Sequence, residues 1–372
     1  MFKAPVSIIP QGMVRGGVKE SYSMGYLGLK RVSSFHGRNV FIVEDPIPLV
    51  GHIAFGVIDR GTNVLQVRPT TICQHSCIFC SVDAGPRSVT RQSEFIVDER
   101  WLVRWAVEVA KFKGGNVEVL LDGVGEPLSH PRILDIIKSL KESGYVSRVA
   151  AETHGGFLSR RLALELEKAG LDRINLSVDA VNPDLAKRLV GVEWYDVARV
   201  LEVAAWILEN TRIDVVLTPV VVPGFNESEM KALIEWAKTH KAGVKSGWPT
   251  GVLIQKYEVH RYGRKPRGVR EWSWSKFYNW LRNLERDTGY RLIVEPWEIG
   301  FEKRPSLEKP YTRGDKIKVI IAGPGWHWGE LLAIDLRLER VIAVMTDKSL
   351  NPRQAVTVTI VRDEDNIFVA RA

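Results

Sequence analysis

Cysteine is almost missing from this chain: there are three in 372 residues, all within Cys73–Cys80. An odd number so closely spaced excludes a disulfide framework and fits a reducing compartment and a metal role. No apolar run reaches the ~18 residues a membrane span requires. Met1–Gln11 has no apolar core of the kind a signal peptide needs, so a cytoplasmic protein with no membrane association is expected. Sequence repeats and low-complexity tracts are absent, which excludes a repeat array.

What remains is an ordinary globular composition, 45% hydrophobic and 26% charged. The length suits one large domain with one or two small ones. Net charge is +8, concentrated after the middle: residues 241–313 hold 16 Lys/Arg against 8 Asp/Glu, while residues 314–372 hold 8 of each. Such a basic stretch suits a polyanionic partner; its alternative is a solvated charged face.

Residues 1–63 read as a small N-terminal extension with β-like runs at Asn39–Val43 and His52–Ile58. From Val64 the pattern alternates strand and helix. Val64–Arg68 is a short apolar run. Asp98 caps a helix with Leu102, Trp105, Ala106 and Val109 on one face, and Gly114-Gly115 stops it. Strands follow at Val117–Leu121, Arg148–Ala151, Arg173–Val178, Ile213–Val222, Val252–Tyr257 and Arg291–Glu295. The intervening helices include Ser159–Ala169, Ser228–His240 and Ser275–Asp287. About six β–α units imply an α/β fold, a partial (βα)6 TIM-like barrel over residues 64–300. Residues 296–312 read as a linker. Five short strands in 311–372 predict a small oligonucleotide-binding (OB) type β-barrel.

Cys73, Cys77 and Cys80 are spaced C-x3-C-x2-C. Three thiolates can hold three corners of a 4Fe–4S cubane, and with no fourth protein ligand one iron stays open. The alternative is a zinc site with His75 as fourth ligand, for which a span of eight residues is cramped. Asp122–Pro127 follows a strand; Gly123 and Gly125 let backbone approach a ligand closely, and Glu126 offers a carboxylate. Residues 255–267 bring Arg261, Arg264, Lys265 and Arg267 together with tyrosine and histidine, a pattern for phosphates and bases.

The cysteine spacing, with Phe79 before the last cysteine, resembles the radical S-adenosylmethionine (radical SAM) superfamily over roughly residues 64–295. The resemblance implies a 4Fe–4S cluster whose open iron binds SAM, and reductive cleavage to methionine and a 5′-deoxyadenosyl radical. It implies that Glu126, with Gly123 and Gly125, seats the SAM amino group, since Gly123–Pro127 matches the family's GGEP-type loop with Val124 inserted. Thr153 and Ser177 match strand-end positions that contact SAM, and His154 replaces the usual asparagine. Phe79 is carried over as a cofactor-side residue. Residues 311–372 resemble the TRAM domain, a small RNA-binding barrel, which implies an RNA substrate, tRNA or rRNA, and an RNA-modifying transferase or related radical chemistry. An electron donor such as ferredoxin or flavodoxin is then required. With no further cysteine, a second cluster or auxiliary thiol chemistry is excluded. Two alternatives stand beside this reading: a radical SAM enzyme acting on a metabolite or peptide, and an iron–sulfur RNA-binding protein without SAM turnover.

Overall fold

The computed structural model describes residues 25–372; the first part of the expected N-terminal extension and the Met1–Gln11 reading lie outside the described residues. Strands β1 (Leu29–Phe35) and β2 (Arg38–Val43) form an antiparallel hairpin. Strands β3 (Gly56–Asp59) and β4 (Val64–Arg68) follow, then β5 (Ser93–Val97), which pairs parallel with β2 and stays outside the main sheet. The main sheet takes β4, β6 (Val117–Leu121), β7 (Val146–Thr153), β8 (Arg173–Leu176) and β9 (Asp214–Leu217) in parallel order, with β3 antiparallel on its edge. Gly56–Asp59, read from sequence as part of the extension, therefore belongs to the barrel sheet.

Helices α1 (Glu99–Phe112), α2 (Ile133–Glu142), α3 (Arg160–Ala169), α4 (Pro183–Val190), α5 (Val197–Asn210) and α6 (Glu229–His240) supply the crossovers. Asp98 caps α1, accepting from the Arg100 and Trp101 amides, and Trp101, Leu102, Trp105, Ala106 and Val109 are buried. The sixth unit is reduced. Short strands β10 (Val220–Val221) and β11 (Gln255–Lys256) pair in parallel, Val252 bridges Leu217, and α7 (Trp274–Thr288) follows. The result is a TIM-like α/β arrangement of six βα units. Arg291–Glu295 is not a strand: the Leu292 and Ile293 amides donate to the Glu285 carboxylate, so a side chain takes the bonds a ladder would use.

Strands β12 (Lys316–Pro324), β13 (Glu330–Asp335), β14 (Val341–Met345), β15 (Ala355–Arg362) and β16 (Val369–Arg371) close a barrel in the order β12-β13-β14-β16-β15. Val319, Ile321, Ile342, Val344, Val358 and Phe368 fill its own core. Trp326, Leu332, Ile334 and Val341 instead join the core of the large domain. The Val341 amide donates to the Val50 carbonyl (3.0 Å) and the Phe368 amide to that of Gly51 (2.8 Å). The expected linker is also tied down: a buried Lys113–Asp59 pair (2.6 Å) also receives the Leu307 amide on Asp59. No helix among the described residues is long and apolar enough to cross a membrane.

Candidate active site

The carboxyl ends of β4, β6, β7 and β8 carry the cysteine loop, the glycine loop, the Thr153–Gly156 turn and Ser177–Asp179. In a parallel sheet these ends share one rim, where ligands gather. Cys73 and Cys77 are buried, Cys80 is half-buried, and all three are free thiols.

The loop rests on the C-terminal end of α4. The Ser76 and Ile78 amides donate to the Val190 and Leu189 carbonyls, each at 2.9 Å. Gly191 caps α4 at φ 72°, and a Cβ there would fall 2.2 Å from the Ser76 carbonyl oxygen, so only glycine fits. Arg264 holds the opposite side. Its Nε pairs with Asp83 (2.9 Å), its Nη1 donates to the Cys77 carbonyl (3.0 Å), and its amide donates to the Cys80 carbonyl (2.8 Å). A sequence reading of Arg264 as an RNA-steering cation is thus corrected: its charge is spent inside the cysteine loop. Arg261, Lys265 and Arg267 are exposed and form no ion pair among the described residues.

A buried Arg38–Glu94–Arg91 network ties the two cofactor loops together. Glu94 accepts from Arg38 (3.0 Å) and Arg91 (3.1 Å) and from the Thr71 hydroxyl, while Arg91 also donates to the Thr71, Val82 and Val124 carbonyls. Each charge is paired and hydrogen-bonded, the condition under which burial is tolerated.

Gly125 lies directly on the exit of β4. A Cβ there would come within 2.5 Å of the Thr71 carbonyl carbon, and the Glu126 amide donates to Ile72 (2.8 Å). Glu126 is buried, and its carboxylate accepts from the His154 amide (3.1 Å). Burial pushes its carboxyl upward, partly offset by His154 and by bonds from Thr153, His154 and Leu128. A cation placed beside it would relieve that cost.

His154 links the elements: one ring nitrogen lies 3.3 Å from Cys77 Sγ and the other 2.9 Å from the Ser177 carbonyl. Tyr195 donates to the His154 carbonyl (2.9 Å). Thr153 Oγ1 accepts from Gly155, and Ser177 Oγ is 3.4 Å from Thr218 Oγ1. Phe79 packs into the main core.

Sequence reasoning missed Asp179 and Glu152 as titratable members of the site. Asp179 is 3% exposed; one carboxylate oxygen accepts from the Val220 amide (2.8 Å) and the other has no partner among the described residues. Burial raises its carboxyl to about 6, against the lowering effect of His154. Burial, and then the charge of Asp122, raise Glu152 to about 8. Asp179 follows Ser177 at a strand end, a signal visible in the sequence; Glu152 and Arg91 become site residues only through tertiary contacts.

These residues fit a three-cysteine cluster. Burial pushes the Cys73 and Cys77 thiols well above their ordinary range, and the neighbouring cysteines add to it. Coordinated iron takes the thiolates and removes that cost. The Ala84 amide donates to Cys80 Sγ at 3.2 Å, a bond that suits a thiolate ligand. The zinc alternative fits poorly: His75 Nδ1 lies against Cys73 (3.8 Å), its Nε2 faces Gly156, and no three His, Cys, Asp or Glu side chains among the described residues converge on one ion. A cubane spreads its ligands over separate corners and needs no such convergence.

Residues 67–237 match the Radical SAM superfamily. The chain is 34% identical to the uncharacterized protein MJ0103 of Methanocaldococcus jannaschii, over 90% of this chain and 80% of that one. It is 31% identical to the GTP 3′,8-cyclase of Streptomyces coelicolor over 51% of this chain, and so spans about half (53%) of that relative's length. Streptococcus suis SuiB bound to S-adenosylmethionine aligns at a TM-score of 0.46 and 15% identity, over 69% of this chain and 51% of that one.

Proposed function

The chain belongs to the radical SAM superfamily, and from that membership we propose that it modifies a nucleoside within an RNA, tRNA foremost. Members of the family use a 4Fe–4S cluster and SAM. When bound, the pair supplies a 5′-deoxyadenosyl radical that abstracts hydrogen from the substrate. Cys73, Cys77 and Cys80 would hold the cluster. Glu126, on its buried seat between the glycine loop and the His154 amide, would take the SAM ammonium, with Thr153 and Ser177 beside it. An electron carrier such as ferredoxin or flavodoxin would reduce the cluster.

The observation that carries the RNA reading is the exposed set Arg261, Lys265 and Arg267, without an ion pair among the described residues, on the segment whose Arg264 is bonded to the cysteine loop. Free cations beside a catalytic rim suit a phosphate backbone. The C-terminal unit is a closed five-stranded barrel, a strand number that suits an oligonucleotide-binding unit, and its assignment as an OB- or TRAM-like module is part of this proposal. Mass spectrometry of RNA nucleosides from a deletion strain tests it: one modified nucleoside should disappear, and an unchanged nucleoside profile would reject the RNA reading. The GTP 3′,8-cyclase similarity supports a second reading, a free nucleotide as substrate. SAM cleavage stimulated by GTP and not by RNA would favour that one.

A further inference from the structure

The turn between β12 and β13, Gly325-Trp326-His327-Trp328-Gly329, is fastened on every side yet exposes its largest remaining ring. Trp326 is buried, with the Arg91 guanidinium 4.7 Å from its ring. Its amide donates to the Glu330 carboxylate (2.9 Å), which also meets His52 Nε2 (3.1 Å). The Gln92 side chain donates to the Glu330 carbonyl, and the Gln92 amide to that of Trp326. His327 stacks on Tyr262 at 4.1 Å and 18°. The Trp328 amide donates to the Thr90 carbonyl (3.2 Å), while the Trp328 side chain is left 65% exposed.

The His327–Tyr262 stack brings this turn against the basic segment. The Arg261 guanidinium lies 5.2 Å from the Tyr262 ring, and exposed Lys265 and Arg267 follow in the same segment of chain. On the other side, Thr90 ends the loop that carries Arg87, also exposed and without an ion pair among the described residues. The turn that exposes this indole is thus joined to two segments that carry exposed cations, one of them bonded to the cysteine loop through the Arg264 amide. A single exposed aromatic residue is unremarkable on a surface. One on a fastened turn, joined to segments that carry exposed cations, has the two elements that bind single-stranded nucleic acid: a stacking face and phosphate counter-charges.

We propose that Trp328 is a base-stacking platform, which with Arg87, Arg261, Lys265 and Arg267 receives an unpaired nucleotide of the RNA at the mouth of the active site. This rests on the RNA reading above. The C-terminal barrel then contributes one ring to the catalytic domain's rim and does not act as a separate arm.

The test uses the full, cluster-loaded chain and a short single-stranded RNA oligonucleotide of mixed sequence, followed by fluorescence anisotropy and by quenching of tryptophan emission. Trp328→Ala should weaken binding about tenfold or more, with an unchanged melting temperature, and Trp328→Phe should recover most of the loss. The dependence of binding on salt should persist in Trp328→Ala and flatten when Lys265 and Arg267 are both changed to Gln. If the unaltered chain does not bind the oligonucleotide, the RNA reading falls and the platform with it. If the unaltered chain binds and Trp328→Ala binds equally well, the platform alone is refuted. A Trp328→Ala variant that changes self-association in sedimentation while leaving RNA binding intact would make the ring a protein contact, and would also refute it.

Discussion

Glu126 and Arg264 show how differently two charged side chains serve one site. Glu126 is a buried carboxylate whose burial cost a bound ammonium would offset. Glu126→Gln should therefore weaken SAM binding by roughly 10- to 100-fold, the scale of a charge-assisted hydrogen bond, with the iron content unchanged; equilibrium dialysis measures it. Arg264 spans Asp83 and the Cys77 carbonyl. Arg264→Ala removes that pair while Asp83 keeps its bonds from Ser88, Val89 and Thr90, and should cost ~1–3 kcal/mol of stability, the scale of a charged hydrogen bond, and lower iron per chain, read by denaturant unfolding and iron assay. Glu152 sets a pH dependence. An ordinary glutamate ionises near 4.5, whereas burial and Asp122 raise this one to about 8. The folded chain thus keeps a proton that the unfolded chain releases. Its contribution is complete below about pH 4.5 and is lost as pH rises through 8. Thermal unfolding between pH 5 and 9 should show this decline, and Glu152→Gln should flatten it. The cysteines were legible in the sequence because their spacing lies within one loop. Glu152 and the true role of Arg264 were not, since their partners lie at distant positions in the chain.

Elements tell a similar story at larger scale. Alternation of apolar runs with capped helices was enough to place most of the parallel strands and all five strands of the terminal barrel, because each is a local pattern. Partners were not local. Strand β5 leaves the main sheet for β2, and β3 enters that sheet from a segment read as an extension. Arg291–Glu295 has a strand's composition, yet a glutamate on the preceding helix occupies its amides. The junction of α4 with the cysteine loop offers an element-scale prediction. Gly191→Ala forces a Cβ onto the Ser76 carbonyl at a left-handed φ. It should cost at least ~1–3 kcal/mol and reduce cluster incorporation, measured by absorbance after reconstitution. Retention of full cluster content would mean that α4 does not shape the loop.

The whole molecule is more tightly joined than its sequence suggests. Composition separates residues 311–372 cleanly from the barrel, but Trp326, Leu332, Ile334 and Val341 pack into the larger core, and the Lys113–Asp59 pair anchors the connecting segment. Deleting residues 311–372 should therefore yield an aggregating or strongly destabilised protein, visible in melting and solubility assays, and not a folded catalytic domain. Point variants on the barrel's surface are the sounder probe of its role. The central claim, that three cysteines and Glu126 assemble a SAM-cleaving site, is tested most directly by one assay. Reconstituted, anaerobically reduced chain is incubated with SAM and cellular RNA, and 5′-deoxyadenosine is quantified. The account predicts 5′-deoxyadenosine and methionine in equal amounts, abolished in Cys77→Ala. A chain that holds its full cluster and binds RNA but releases no 5′-deoxyadenosine would contradict it.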